Sequence, residues 1–338
     1  MLMDKLNSRS INYIDFLKFI GLTGIFAAHV GSPKWLMMLR NFDVPFMVIL
    51  SSILAHKSYD RHNADCCSSM GYTIYRLKRL VFPVWVFLII YFPLEFLVCG
   101  SMHDVRYYIA SFCLTRYGIG YVWIILIYVY SALLIPIFSK IQASRKGLIC
   151  IIAIYTIYEL SYHLQIGVQN KVIDTTFYYI VPYGLLTYIG FNYVAMSTKY
   201  KMAVTTMSIA VFMIFAVIYW HLTGEPQLVQ IAKYPPRLYY LSYGIAWSLA
   251  LLHFGEKHSL KIYENKIVRF VSEHSMWIYL WHILVLMIYK ELCLPEIWFI
   301  KLLFVYMASS GIVVIVNVCL DLIEAKYPSA AFLKYLRG

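Results

Sequence analysis

The chain has 338 residues, of which 61% are hydrophobic and 14% charged, and its mean hydropathy is +0.68. That composition lies outside the range of ordinary soluble domains. The net charge of +12 comes with no aromatic–basic binding module and no zinc-finger spacing, so it excludes nucleic acid as a partner and reports topology and contact with membrane lipids.

Apolar stretches of about 20 residues recur along the chain, long enough for helices that cross a bilayer. The predicted spans are 11–30, 40–58, 77–99, 119–138, 148–165, 174–195, 202–221, 238–254, 271–290 and 298–320. The expected fold is therefore an all-α integral membrane bundle of about ten transmembrane helices. One transmembrane domain, residues 1–338, accounts for the chain, with no separate soluble domain expected. The first span carries Asp15 and Lys18 and reads as a retained helix rather than a cleaved signal.

With both termini cytoplasmic, inner loops and tails hold 19 of the 29 Lys and Arg residues and outer segments hold 9. The excess of basic residues inside sets that orientation. The seven cysteines are scattered, and the adjacent Cys66 and Cys67 fall in a predicted cytoplasmic loop, so no disulfide framework is expected. Asp60, His62, Asp65 and Cys66 read as a solvated loop, and no metal site is predicted.

Inside the first span, Lys18 and His29 are eleven residues apart, close to three helical turns. Both side chains leave one face, ~16 Å apart along the axis, with Asp15 one turn before Lys18. Each ionisable group costs about 3 kcal/mol at the bilayer centre, so this stripe faces a protein interior or a wet cavity. Lys18 and Asp15 fit either a structural ion pair or an active site. Arg76 and Arg79 enter the third span one turn apart. By position they are positive-inside anchors or a phosphate clamp.

Asp43 opens the second span, Glu95 comes late in the third and Glu159 late in the fifth, all at the membrane depth of His29. Any of them could orient an imidazole or simply be solvated at the interface. The run KYPPRLYYLSYG, with Arg237 and Tyr239, could stack on a sugar or form an interfacial aromatic belt. His282 lies within the ninth span, where packing and catalytic support are both open.

The segments INYIDFLKFIGLTGIFAAHV, RNFDVPFMVILSSIL, YRLKRLVFPVW, GYVWIILIYVYSALLIP and SEHSMWIYLWHILVL occur in that order. Together they resemble the membrane acyltransferase-3 family, which O-acylates envelope and surface glycans, over residues 10 to about 290. There are departures: Lys18 stands where the family usually has Arg, Ser51-Ser52 where many members have Ser-Gly, and Tyr121-Val122-Trp123-Ile124 where His-Leu-Trp-Phe is common. The resemblance implies an O-acyltransferase of a bacterial inner membrane, taking an acyl group, expected to be acetyl, from cytoplasmic acyl-CoA to a glycan or lipid-linked saccharide.

The resemblance also implies roles. His29 would be the base, with Asp15, Lys18 and Asp43 in the catalytic set and Arg76 with Arg79 holding the donor phosphates. Ser51, His282, Glu95 and Glu159 would support the site, and Trp123, Arg237 and Tyr239 would lie on the acceptor side. The rival reading is a transporter or flippase for the saccharide or the donor, which buried charges would also suit. Such proteins are frequently built from inverted repeats, and the two halves show no similarity.

Overall fold

A computed structural model describes residues 2–64, 69–100, 102–141, 145–327 and 336. Asp65, Cys66 and Cys67, and Lys334 and Arg337 of the tail, lie outside the described residues. The described helices, in order, are α1 (Leu2–His29), α2 (Lys34–Leu39), α3 (Asp43–Ala64), α4 (Ser69–Cys99), α5 (Val105–Phe112), α6 (Trp123–Ile141) and α7 (Arg145–His163). They continue with α8 (Lys171–Thr175), α9 (Phe177–Asn192), α10 (Thr198–Thr223), α11 (Leu238–Lys257), α12 (Lys266–Glu273), α13 (Ser275–Glu291) and α14 (Trp298–Lys326). No strand forms among the described residues.

Five described stretches are long and apolar enough to cross a membrane: Lys34–Asp60, Ser69–Cys99, Trp123–Ile141, Thr198–Thr223 and Trp298–Lys326. The pair α12 and α13, bent by 82°, is a sixth candidate. Long helices rich in exposed apolar residues, such as Met213 and Ile214 on α10 and Met307 and Ile315 on α14, suit contact with lipid.

Three predicted spans are interrupted. Residues 119–122 are turn rather than helix, because Gly120 takes φ +71° and α6 starts only at Trp123. The 174–195 stretch breaks at Thr176 between α8 and α9. The 271–290 stretch bends at His274, whose N–H closes α12 onto Phe270 and Ser272 carbonyls before α13 begins.

The chain divides into two compact units. The first comprises Met1–Met37, Leu77–Leu126 and Gly255–Gly338. In it α1 packs on α12, α13 and α14, and α13 packs on α14. Ile14, Leu17, Leu22, Ile25 and Phe26 are the buried face of α1, at helical spacing. Nearly the whole of α13 is buried, from Trp277 to Leu286.

The second unit comprises Met38–Arg76 and Ile127–Phe254. Its centre is the crossing of α9 on α3, with α7 and α8 also against α9. A Cβ at Gly190 would stand 2.5 Å from the Ile49 carbonyl oxygen and 2.8 Å from Ser52 Cβ, so only glycine allows this approach. Ser131 and Thr187 hydroxyls meet at 2.8 Å between α6 and α9.

Candidate active site

Helix α1 ends on His29 because Gly31, two residues on, adopts φ +73° and leads into Pro33. Its imidazole is half-buried, and its Nδ1 lies 2.9 Å from Nε2 of His282. His282 is fully buried on α13, and its Nδ1 contacts the Tyr279 carbonyl one turn earlier.

That chain of contacts fixes the protons. A carbonyl can only accept, so His282 carries its proton on Nδ1 and presents a lone pair at Nε2. His29 then donates from Nδ1, which leaves the lone pair of the neutral ring on Nε2. A ring so held can act chemically as a base oriented by a second group, with an imidazole standing where a carboxylate often stands.

Aromatic rings hold the pair. Phe26 stacks on His282 with centroids 4.5 Å apart and packs against Tyr306 at 4.7 Å. The Tyr306 hydroxyl is anchored by Thr23 at 2.9 Å. Tyr121 sets its ring edge-to-face with His29 at 4.8 Å, and the Tyr279 hydroxyl donates to the Tyr121 carbonyl at 2.6 Å. One of these rings is readable as a neighbour, since Tyr279 precedes His282 by three residues and lies 4.7 Å from it, whereas Phe26, three residues before His29, stacks on His282 of another helix. Tyr121 and Tyr306 come from distant segments with no local signal of proximity.

A second polar group lies toward the start of α1. The Ser272 hydroxyl donates to Asp15 Oδ1 at 2.6 Å, and Lys18 Nζ donates to the Ser272 carbonyl at 2.6 Å. The break at His274 ends the regular helical bonding, so the Ser272 carbonyl, approached by the His274 N–H, also accepts from Lys18. Arg79 and Glu273 are the other charges within electrostatic range of Lys18. Arg79 is exposed on α4, one turn after Arg76, which falls in the second unit and acts on Tyr72 there.

The outer carboxylates each have partners of their own. Within the first unit, Glu95 accepts from the Tyr91 hydroxyl at 3.1 Å and lies 3.4 Å from His103 Nε2. His103 stacks on Tyr107 at 4.1 Å, and burial together with Glu95 pushes the Tyr107 phenol up to about 12. Trp123, also in this unit, is buried at the start of α6.

In the second unit, Asp43 is fully buried and bonds Arg40 Nη1 at 2.5 Å. Glu159 binds Arg237 Nε at 2.7 Å, the Tyr155 hydroxyl at 2.8 Å and the Leu238 N–H at 3.0 Å. Arg237 also lies over the Tyr162 ring at 3.9 Å, and the nearby Glu159 carboxylate raises its pKa against the effect of burial. This group ties the segment before α11 to α7. Tyr239 is buried with its hydroxyl on the Gln227 carbonyl at 3.0 Å, and Ser51 is partly buried on α3.

No curated protein and no solved structure matches the chain. A family model described as an acyltransferase domain, that of the acyltransferase-3 family, matches residues 11–322, which takes in both imidazoles, the Asp15–Lys18 group and the Arg76–Arg79 pair. With nearly the whole length covered, the chain belongs to the acyltransferase-3 family and is a multi-pass membrane acyltransferase.

Proposed function

We propose that the protein is an O-acyltransferase that moves an acyl group, acetyl by expectation, from cytoplasmic acyl-CoA to a hydroxyl of an envelope or surface glycan. The observation that carries this reading is the hydrogen bond from His29 Nδ1 to His282 Nε2, which leaves His29 Nε2 as a base. In the step itself, His29 Nε2 takes the proton of the sugar hydroxyl as its oxygen attacks the thioester carbonyl. The tetrahedral intermediate collapses with loss of the CoA thiolate, which receives that proton from His29. His282 steadies the transient imidazolium by accepting from Nδ1 throughout. Tyr121 walls one side of the ring.

In the same reading Arg79 and Arg76 bind the donor's phosphates, with Lys18 and Asp15 lining the way between the donor mouth and His29. The same reading has ten crossings, α1, α7, α9 and α11 adding to the spans already described; the excess of basic residues inside then favours both termini in the cytoplasm, and the family resemblance favours a bacterial inner membrane. Asp43, Glu95, Glu159, Ser51, Trp123, Arg237 and Tyr239 act in support or on the acceptor side.

The test is release of free CoA thiol by purified protein in detergent, supplied with acetyl-CoA and a glycan acceptor. His29→Gln is expected to abolish acceptor-dependent release while the protein keeps its thermal stability. Equal release by wild type and variant would remove His29 from the chemistry.

A further inference from the structure

Ahead of the break at His274, the chain from Lys257 to Glu273 is amphipathic. Helix α12 starts because the Asn265 side chain accepts from the Ile267 and Val268 N–H groups. Val268, Val271 and Ser272 form its buried face, and α12 packs on α1. Lys266, Arg269 and Glu273 are exposed on the opposite side, at helical spacing. Ile267 lies between the two faces and is 70% exposed. The 3-10 turn Lys261–Glu264 repeats the pattern. Its Tyr263 is buried, with its ring 5.2 Å from that of Phe16 on α1, while Leu260 and Ile262 are exposed.

The bend of 82° between α12 and α13 sets the direction of this segment. With α13 crossing the bilayer, α12 runs close to the membrane plane. Its depth follows from α1, where Ser272 bonds Asp15 and Tyr263 meets Phe16. Those two residues of α1 lie about 6–8 Å inside the cytoplasmic start of the first span, the depth at which interfacial helices bury their apolar side. The charge has a matching sign. Lys257, Lys261, Lys266 and Arg269 stand against Glu264 and Glu273. Arg269 is paired with Glu273 at 2.8 Å, whereas Lys257, Lys261 and Lys266 are exposed and make no ion pair among the described residues.

We propose that residues 257–273 form an interfacial segment that binds anionic phospholipid of the cytoplasmic leaflet. Leu260, Ile262 and Ile267 enter the boundary of the acyl chains, and Lys257, Lys261 and Lys266 meet the headgroup phosphates. The phosphates of a soluble nucleotide would use the lysines but leave the three apolar side chains in water, so the occupant is lipid. The inference rests on the crossing and orientation proposed above for α13, and it does not depend on acyl transfer.

The experiment places purified full-length protein in nanodiscs of phosphatidylcholine, alone or mixed equally with phosphatidylglycerol, and follows backbone hydrogen exchange with no acyl donor present. In wild type, residues 257–273 are expected to exchange more slowly with phosphatidylglycerol, while α10 exchanges alike in both lipids. The double variant Lys261→Gln, Lys266→Gln breaks no side-chain bond among the described residues and is expected to fold. It is expected to lose that protection and to bind phosphatidylglycerol about 10-fold more weakly in detergent, read by native mass spectrometry. Lys146→Gln with Lys199→Gln removes the same charge from other loops of the proposed cytoplasmic side and is expected to keep both. Equal exchange of residues 257–273 in the two lipids, or equal losses in the two double variants, would overturn the proposal. So would displacement of phosphatidylglycerol by coenzyme A, which would assign the lysines to the donor instead. The exchange and lipid-binding readouts need no transfer, so their failure leaves the acyltransferase reading standing, and failure of acyl transfer leaves them unchanged.

Discussion

His29 and His282 are 253 residues apart in sequence, yet their ring nitrogens Nδ1 and Nε2 meet at 2.9 Å, and the second ring is fully buried. A base oriented by a neutral imidazole differs from one oriented by a carboxylate in a practical way. The partner can accept a proton bond without bringing a negative charge into a low-dielectric interior, where such a charge is costly.

The first expectation concerns that partner. His282→Phe keeps an aromatic ring against Phe26 and removes the acceptor for His29 Nδ1. It is expected to lower kcat by about 10²–10⁴-fold with KM for acyl-CoA nearly unchanged. A purely structural His282 would instead show its effect in melting temperature, with kcat preserved per folded molecule. Steady-state kinetics together with a thermal melt separate the two.

Arg79 gives the second. Its side chain is exposed and is one of the charges around Lys18. Arg79→Ala is expected to raise KM for acyl-CoA about 10-fold, from loss of a charge-assisted bond to phosphate, and to leave stability almost unchanged. Raising salt is expected to weaken donor binding in wild type more than in the variant. A KM that does not move would take Arg79 out of the donor site.

Much of this architecture is legible in the sequence and some is not, for physical reasons that differ by element. The apolar runs of α10 and α14 and the stripe on α1 announce themselves by length and spacing. The break at His274 does not, because no Gly or Pro interrupts Ser272–Ser275. Its bonds to Asp15 and Lys18 come from a helix more than 250 residues away. The turn at 119–122 is hidden in an apolar stretch, although Gly118 and Gly120 hint at it; a Cβ on Gly118 would collide with Ser111. Asp43 and Arg40 could be paired from their i, i+3 spacing. The burial of Lys233 could not, since a proline-flanked basic loop reads as solvated.

Stability against pH gives a third expectation, through Lys233. Its folded-state pKa falls from the ordinary 10.5 to about 8. Between those values the unfolded chain holds the proton that the folded chain has released, so stability rises with pH across about 8 to 10.5 and is flat below. The contribution is at most about 3 kcal/mol. Thermal melts are expected to show this rise in wild type and to lose it in Lys233→Met. A rise that persists in the variant would assign it to another group.

The crossing of α9 on α3 supplies a fourth. Gly190→Ala puts a methyl group against the Ile49 carbonyl and Ser52, and separating the helices is expected to destabilise the fold by about 1–3 kcal/mol. By contrast, Gly311→Ala on α14, where a Cβ meets nothing, is expected to be neutral or slightly stabilising. Thermal melts in detergent compare the pair directly.

Sealed membrane vesicles of both orientations, holding wild type or His29→Ala at matched abundance, test the central claim most directly. Acetyl-CoA labelled in its acetyl group is supplied from outside, and label is followed into base-labile glycan esters. Transfer by wild type in inverted vesicles, where the cytoplasmic face meets the donor, and its loss in the variant are the expected result. Equal labelling by both proteins would contradict a catalytic His29. No labelling from any acyl-CoA, with glycan present, would contradict O-acyl transfer itself.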